Sequence, residues 1–223
     1  FISLRSMHGI FSRSSLPSAV QKRKRRTCAV SDQGLLIQNY VSKRIAALLR
    51  EGNDANISRE LAILRRGVGK APGEYPEIFG ILLDSFPEEL MSKNGQPTKA
   101  EWAVSTALCL FAVHQQGMDP HTQSMNRKGA AFGKSARKLV TKEDEMESVR
   151  RHFNQVLSSQ DIRGCTHYLR NIVQMMKTKQ IPIDYPQLAK DLYWFQCQEG
   201  RFQVRLLWGQ DFYRNQSVNT EEA

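Results

Sequence analysis

Catalysis would need a phosphate-binding loop, a metal-ligand cluster or a nucleophile paired with its base, and the sequence contains only weak versions of these. The run 67–71, GVGKA, resembles the end of a Walker A loop. However, Leu64 stands where the first glycine should be, and Ala71 stands where a serine or threonine should bind magnesium. The sequence predicts no strand before this run. We therefore do not expect a nucleotide-binding loop.

One cysteine and two histidines are the remaining candidates for chemistry. Cys165 and His167 are two residues apart, but Cys165 falls in an apolar helical stripe, which favours a core position. His114 ends an apolar helix, where a packed or helix-capping histidine is the commoner arrangement. The sequence has no H-E-x-x-H or C-x-x-C motif. Its four cysteines are widely spaced and suggest no disulfide framework, which is the usage of proteins in a reducing cytosol. We expect no enzyme activity, no metal and no cofactor.

The placement of lysine and arginine is more informative. The formal net charge is +10, and its distribution is uneven. Residues 120–180 carry twelve basic and five acidic side chains, whereas residues 71–119 carry two basic and seven acidic ones. A polarised charge of this kind indicates a polyanionic partner. We expect the acidic segment to face away from that partner or to meet a basic protein.

One predicted helix, 161–179, carries three cations at seven-residue intervals. Arg163, Arg170 and Lys177 form a line beside its apolar stripe, roughly 10 Å apart along the helix axis. Such a line can follow a phosphate backbone. A charged line is equally what any solvated helix face shows, so both interpretations stay open.

These side chains must be positioned by helices, and one helix is central. The run 98–116, TKAEWAVSTALCLFAVHQQ, is apolar on every side, so other helices must surround it. Thr98 and Glu101 form a capping box at its start, and Gly117 is placed to end it. We expect the core to include five large side chains: Trp102, Phe111, Phe153, Leu169 and Trp208.

Amphipathic helices are predicted on both sides of this central helix. The first begins after Gly34, the second runs from Ser58 to Gly67, and the third covers residues 77–86. The last follows Gly200 and is expected to turn four side chains inward: Phe202, Leu206, Trp208 and Phe212. No stretch shows sustained strand alternation, so the predicted fold class is all-α, a compact multi-helix bundle.

Three segments are predicted along the chain. Residues 1–32 form a basic leader that we expect to be disordered, 33–215 form the helical domain, and 216–223 form a flexible tail. The domain divides into sub-bundles 33–117 and 129–215. The leader has the composition of a transit peptide, a nuclear signal or a nucleic-acid-binding arm, so a eukaryotic organellar or nuclear factor is one alternative.

Five blocks of sequence carry a family resemblance: WAVSTALCLFAVHQQ, FGKSARKL, ESVRRHFNQVL, THYLRNIVQMMKTKQIPIDYPQLAKDLYWF and VRLLWGQDFY. In this order and spacing they resemble CasB, the small subunit of the type I-E CRISPR surveillance complex called Cascade. The earlier block SRELAILRRG is also similar to that family. The resemblance covers approximately residues 33–215.

This resemblance implies a non-catalytic subunit in the cytoplasm of a prokaryote, with no membrane association. CasB proteins are all-helical, occur as two copies, and pack along a filament of backbone subunits that holds the guide RNA. They help to hold the R-loop open by contacting the target strand and the displaced strand. The implied partners are the backbone filament, the large subunit, a second copy of the chain, guide RNA and both strands of target DNA.

The matching blocks also supply candidate nucleic-acid-binding residues: Arg65, Arg66, Lys134, Lys138, Arg150, Arg151, Arg163 and Arg170. Second choices are Arg59, Arg137 and Lys177. Arg150 stands at the edge of an apolar stripe, so a bond to an acidic side chain is an equal alternative there. A helical protein-interaction scaffold, whose basic faces are merely solvated, is the alternative function.

Overall fold

The computed structural model describes residues 19–50 and 54–214, and describes side chains for 33–50 and 54–214. The chain divides into two compact units, Phe1–Asp32 and Gln33–Ala223. The predicted tail lies outside the described residues. Of the predicted leader, only residues 19–32 are described, as the first part of a helix that begins at Ala19. The disorder of the leader stays a prediction.

The described residues form nine α-helices, two short 3-10 turns and one isolated bridge between Asn126 and Ile183, with no strand. This confirms the all-α prediction. The helices are α1 Ala19–Arg50, α2 Asp54–Arg66, α3 Phe79–Leu82, α4 Lys99–Gln115, α5 Phe132–Arg137, α6 Glu145–Ser158, α7 Ile162–Thr178, α8 Tyr185–Phe195 and α9 Gln198–Tyr213.

Helix α4 is the central element, as predicted. The Thr98 hydroxyl accepts from the Glu101 N–H at 3.0 Å, while the Glu101 carboxylate accepts from the Thr98 N–H, which completes the capping box. Gly117 has a φ of 81°, which ends the helix in the left-handed region. Helices α2, α7 and α8 pack around α4, so the two predicted sub-bundles share one buried core.

Trp102, on α4, is the exception among the five predicted core residues. Phe111, Phe153, Leu169 and Trp208 are buried, but Trp102 is only partly buried and packs against the edge of the core. The guanidinium of Arg163 lies 5.4 Å from the centroid of its ring. The expectation that Trp102 lies inside the core is therefore wrong: it stands in the first turn of α4, at the edge of the core, where its ring also contacts a cation from α7.

Two helices begin earlier than predicted. Helix α1 begins at Ala19, whereas we predicted a start after Gly34. Residues 19–33 contain no proline or glycine and are rich in lysine, arginine and glutamine, which favour helix. Helix α2 begins at Asp54 instead of Ser58, with the Asp54 carboxylate in its first turn.

The third predicted helix, 77–86, is broken in the structure. A 3-10 turn precedes the single turn α3, and Ser85 then adopts a φ of 56°. The Tyr40 hydroxyl donates to the carbonyl oxygens of Leu82 and Asp84 at 2.7 and 3.0 Å. These carbonyls bond to a side chain of α1 instead of continuing a helical ladder.

Helix α9 corrects another prediction. Trp208 and Phe212 face the core together with Val204, but Phe202 and Leu206 are 58% and 62% exposed. The two pairs were expected on one face, yet at 100° per residue Phe202 and Trp208 lie about 120° apart. One helix face cannot bury both pairs, and only Trp208 and Phe212 face the core.

Helices α6 and α7 position five of the eleven candidate cations. Their apolar stripes pack together, with Val149, Phe153 and Val156 buried on α6. Only three residues, 159–161, connect the two helices. Asp161 caps α7 by accepting from the Gly164 N–H at 2.8 Å. The outer sides of this helical hairpin remain available for solvent or for a ligand.

Candidate nucleic-acid interface

An open groove of about 700 Å³ lies between α6 and the first two turns of α7. We call it the α6–α7 groove. Arg150 and Arg151 line it from α6, and the partly buried Tyr168 lines it from α7. Uncharged polar side chains complete much of the wall: Asn154, Gln155, Ser158 and Gln160. The groove therefore combines two cations, an aromatic ring and hydrogen-bonding groups.

Both arginines of the groove are exposed and form no ion pair among the described residues. The alternative prediction was that Arg150 pairs with an acidic side chain, and no such pair is present among the described residues. Two acidic residues also line the groove, Glu147 and Asp161. Asp161 caps α7, and both carboxylates are exposed, so two negative charges line the groove together with the two arginines.

Two arginines of α9 hold one end of the α6–α7 groove. Arg205 donates to the Ser159 carbonyl oxygen at 2.6 Å, and Arg201 donates to the Gln160 side-chain oxygen at 3.4 Å. Burial, followed by the charge of Arg201, lowers the pKa of Arg205. We did not predict these two residues. Their four-residue spacing on a helix was the available signal, because it places both on one face.

A second group of charged side chains, three basic and two acidic, lies around the loop that follows α2. We call Arg66, Lys70, Glu74, Glu77 and Arg163 the loop cluster. Arg163 donates to the Glu74 carboxylate at 2.7 Å, and Arg66 lies 4.0 Å from the Glu77 carboxylate. The Lys70 ammonium lies 4.4 Å from the centroid of the Tyr75 ring. Two of the predicted cations in this cluster thus already have acidic partners.

The hydrogen bonds to Glu74 stabilise its ionised form. A bond from the Ala71 N–H at 2.9 Å is the largest cause, and the bond from Arg163 is the next, so the pKa of Glu74 lies below its usual value. Arg65, next to the cluster, is half-buried, and burial lowers its pKa, followed by the charge of Arg66. Arg59, the second choice on α2, is exposed.

The predicted line on α7 contains one cation without a partner. Arg163 belongs to the loop cluster, and the Lys177 ammonium donates to the Gln116 side-chain oxygen at 3.3 Å. Arg170, midway between them, is exposed and forms no hydrogen bond or ion pair among the described side chains. Because Arg163 contacts Trp102 and Lys177 contacts Gln116, α7 runs parallel to α4 along this line.

Three further candidates lie on α5 or directly after it. Lys134 is half-buried, Lys138 is exposed, and Arg137 donates weakly to the Met146 sulfur at 3.8 Å. A neighbouring cation, Lys179, donates to the Glu145 carboxylate at 2.7 Å. This bond, followed by bonds from Thr141, lowers the pKa of Glu145 to about 2. Of the three predicted cations, only Lys138 is exposed.

Of the residues considered for catalysis, Cys165 and His114 are buried, whereas His167 is exposed on α7. Cys165 is fully buried, and burial raises the pKa of its thiol. His114 is also buried, with its Nδ1 2.9 Å from the Tyr185 hydroxyl. Burial, followed by the charge of Lys177, lowers the pKa of His114 to about 4. Gly67 follows helix α2 and not a strand, so the 67–71 run lacks the setting of a phosphate-binding loop.

Two further features of the described residues concern metal ions and membranes. They contain no group of three or more histidine, cysteine or acidic side chains that could hold a metal ion. None of their helices is both long enough and apolar enough to cross a membrane.

Comparison with known proteins identifies the class of this helical protein. The family described as CRISPR-associated protein Cse2 matches residues 60–213, and the chain belongs to this family. It is similar to CasB from Thermobifida fusca, whose crystal structure aligns with a TM-score of 0.67 and 28% sequence identity. The alignment covers 79% of this chain and 97% of that chain. A comparison with curated proteins gives no significant match.

Proposed function

We propose that this chain is the non-catalytic small subunit of a type I-E CRISPR RNA-guided surveillance complex, Cascade, in antiviral defence. In that role it binds nucleic-acid backbone and stabilises the R-loop. Its partners are the backbone filament, the large subunit, a second copy of the chain, guide RNA and both strands of target DNA. Cleavage belongs to a separately recruited helicase-nuclease.

The α6–α7 groove is the observation that supports this proposal most strongly. Arg150 and Arg151 are exposed there without an acidic partner, so their charge is available to phosphate groups. Tyr168 offers a ring edge or face to an unstacked base. Cations together with an aromatic side chain are the usual means of holding a single strand without reading its sequence.

Sequence selectivity is not required of this subunit. In RNA-guided recognition, base pairing between the guide and the target reads the sequence, while the protein contacts shape and backbone. Arg170 and Lys138 are further exposed cations suited to phosphate contacts. Arg163 and Arg66 are weaker candidates than their sequence positions indicated, because nearby carboxylates offset their charge.

The test is a salt titration of target DNA binding by the assembled complex that contains Arg150→Ala and Arg151→Ala together. Each phosphate contact on a single strand contributes about 0.7 to the slope of log affinity against log salt concentration. We expect the double variant to flatten this slope by roughly 1.4 and to weaken R-loop formation.

Lys93→Ala with Lys99→Ala is the matched control. It also removes two exposed positive charges, but from the acidic segment 71–119. The control should leave the slope unchanged. Equal slopes for the wild type and the groove variant would remove the groove from the interface. The absence of any salt-dependent contribution from the exposed cations would favour the protein-interaction scaffold.

A further inference from the structure

A second open groove, of about 590 Å³, lies between α1 and the turn that follows α3. We call it the α1 groove. It shares no residue with the α6–α7 groove. Most of its α1 residues recur at intervals of three or four and so lie on one face of the helix: Leu36, Tyr40, Lys43, Ala47 and Arg50. The opposite wall contains Asp84, Ser85 and Pro87.

Arg44 is the unusual residue of the α1 groove. Its side chain is only 10% exposed, and its guanidinium has one acidic partner, Asp84, at 2.8 Å. The Asp84 side chain is itself 58% exposed, so water screens much of its charge. The Arg44 Nε is buried and makes no hydrogen bond within the described chain. A buried cation needs a countercharge and hydrogen-bonding partners, and Arg44 has only part of each.

The charges around Arg44 favour a further anion. Lys43 and Arg50 also line the α1 groove, are exposed and form no ion pair among the described residues. Asp84 is the one acidic side chain that lines it, against three cations. A guanidinium presents a planar fork of N–H donors that matches a carboxylate or a phosphate. The α1 groove is therefore suited to an oxyanion.

The remaining walls of the α1 groove are largely apolar. Leu36 and Ala47 lie on the α1 side, and Pro87 lies opposite. Tyr40 also lines the groove, and its hydroxyl already donates to two backbone carbonyl oxygens. This volume, with apolar walls and a few convergent polar groups, is typical of small-molecule sites. The ligand should be a compact acid with an apolar body.

The wall opposite α1 is fixed by the fold. Ser85 has a φ of 56°, which is unfavourable for a residue with a Cβ. The Tyr40 hydroxyl and the Arg44 guanidinium both bond to residues 82–84, directly before Ser85, and hold this conformation. A strained residue held by its surroundings is a common feature of ligand sites. A preformed wall also lowers the cost of ordering on binding.

A nucleic-acid strand fits the α1 groove less well than a small acid. Glu88 and Glu89 directly follow Pro87 and are exposed. A phosphate chain that followed this wall would meet their carboxylates as well as that of Asp84. Tyr40 is buried, so it offers no exposed ring on which a base could stack.

We propose that the α1 groove binds a small organic oxyanion, a carboxylate or phosphate carried by an apolar body. Arg44, Lys43 and Arg50 hold its charge, and the apolar body lies against Leu36 and Pro87. None of these residues belongs to the proposed nucleic-acid interface, so the site stands independently of that function.

Isothermal titration calorimetry of the purified full chain tests the site with phenyl phosphate and phenylacetate as probes. Because the groove buries the ring, phenyl phosphate should bind about tenfold more tightly than inorganic phosphate, and phenylacetate about tenfold more tightly than acetate. The tighter of the two aromatic acids identifies the oxyanion. Benzyl alcohol, which has the ring without the charge, should not bind measurably.

Lys43→Ala removes an exposed cation and should leave the fold intact, but it should weaken binding of the tighter probe about three- to tenfold. Arg44→Lys keeps the charge without the planar fork and should weaken binding about tenfold or more. Lys142→Ala is the matched control for Lys43→Ala, because Lys142 is an exposed lysine that does not line the groove. It should leave the dissociation constant unchanged.

Aromatic acids that bind no more tightly than their inorganic or aliphatic counterparts, or equal affinities for the wild type and Lys43→Ala, would overturn the proposal. Loss of probe binding in a variant with Arg150→Ala and Arg151→Ala would place the probe in the α6–α7 groove, with the same consequence. A thymidine oligonucleotide tests the remaining alternative. If it displaced the probe from the wild type and itself bound more weakly to Lys43→Ala, the α1 groove would be a nucleic-acid site instead.

Discussion

The α6–α7 groove and the loop cluster look alike in the sequence but differ in the folded chain. Each contains arginines taken from helical blocks with a positive local charge. In the groove, Arg150 and Arg151 remain without an acidic partner. In the loop cluster, Arg163 has a carboxylate at 2.7 Å, and the exposed pair of Arg66 is looser at 4.0 Å.

The difference comes from the acidic segment 71–119. We expected this segment to face away from nucleic acid or to meet a basic protein. In the structure, three of its carboxylates meet arginines of the same chain: Glu74, Glu77 and Asp84. An exposed ion pair contributes little to stability, but it offsets the charge that a phosphate would otherwise attract. The available charge of a cation therefore depends on its folded neighbours.

The largest effect should come from removing the hydrogen bond by which Arg205 of α9 holds one end of the α6–α7 groove. Arg205→Ala removes the bond to the Ser159 carbonyl and should lower the free energy of unfolding by about 1–3 kcal/mol. It should also loosen residues 159–164 and weaken DNA binding by the complex. Chemical denaturation and hydrogen exchange of this segment measure the two effects on the fold.

Arg151→Ala is the control for that experiment. Arg151 is exposed and makes no hydrogen bond or ion pair among the described residues, so its removal should reduce DNA binding without changing stability. Unaltered exchange of residues 159–164 in Arg205→Ala would show that α9 does not hold the end of the groove.

A smaller effect should follow from releasing a cation in the loop cluster. Glu74→Gln removes the charge that faces Arg163 but keeps an oxygen to accept from the Ala71 N–H. We expect the complex to bind target DNA roughly three- to tenfold more tightly, with a slope against log salt steeper by about 0.7. Glu89→Gln, an exposed acid of the same segment, should leave both unchanged. No gain in Glu74→Gln would mean that Arg163 lies away from nucleic acid.

Much of the fold could be predicted from local patterns. The capping box of α4 depends on Thr98 and Glu101, which are neighbours in sequence, and the stripe of α7 follows from its 3.6-residue period. The prediction failed at Phe202 and Leu206, because α9 has apolar residues on two faces and periodicity alone does not decide which face is buried. The broken helix at 77–86 depends on Tyr40, more than forty residues earlier.

The candidate site could be predicted only as a set of outward cations. The sequence pattern put Arg150 at the edge of an apolar stripe and Arg163 beside another, and both side chains are exposed. They could not show that Glu74, 89 residues away, would pair with Arg163. Nor could they show that Arg205 would reach Ser159, 46 residues away. Such contacts depend on how helices pack, which a single sequence does not encode in any local signal.

The smallest effect concerns acid pH and again separates the two regions. Because the hydrogen bonds hold the pKa of Glu74 below its usual 4.5, its contribution to folding is fully present above that value. It is lost as the pH falls through the lowered folded pKa, where the unfolded chain already carries the proton. The difference in melting temperature between the wild type and Glu74→Gln should therefore be constant at neutral pH and shrink below about pH 4.

Arg150→Ala is the control, because it removes no acidic partner. Its melting temperature should differ from that of the wild type by the same amount at pH 7 and at pH 3. Parallel melting curves for Glu74→Gln at pH 7 and pH 3 would show that the Glu74 carboxylate is not held by these bonds in solution.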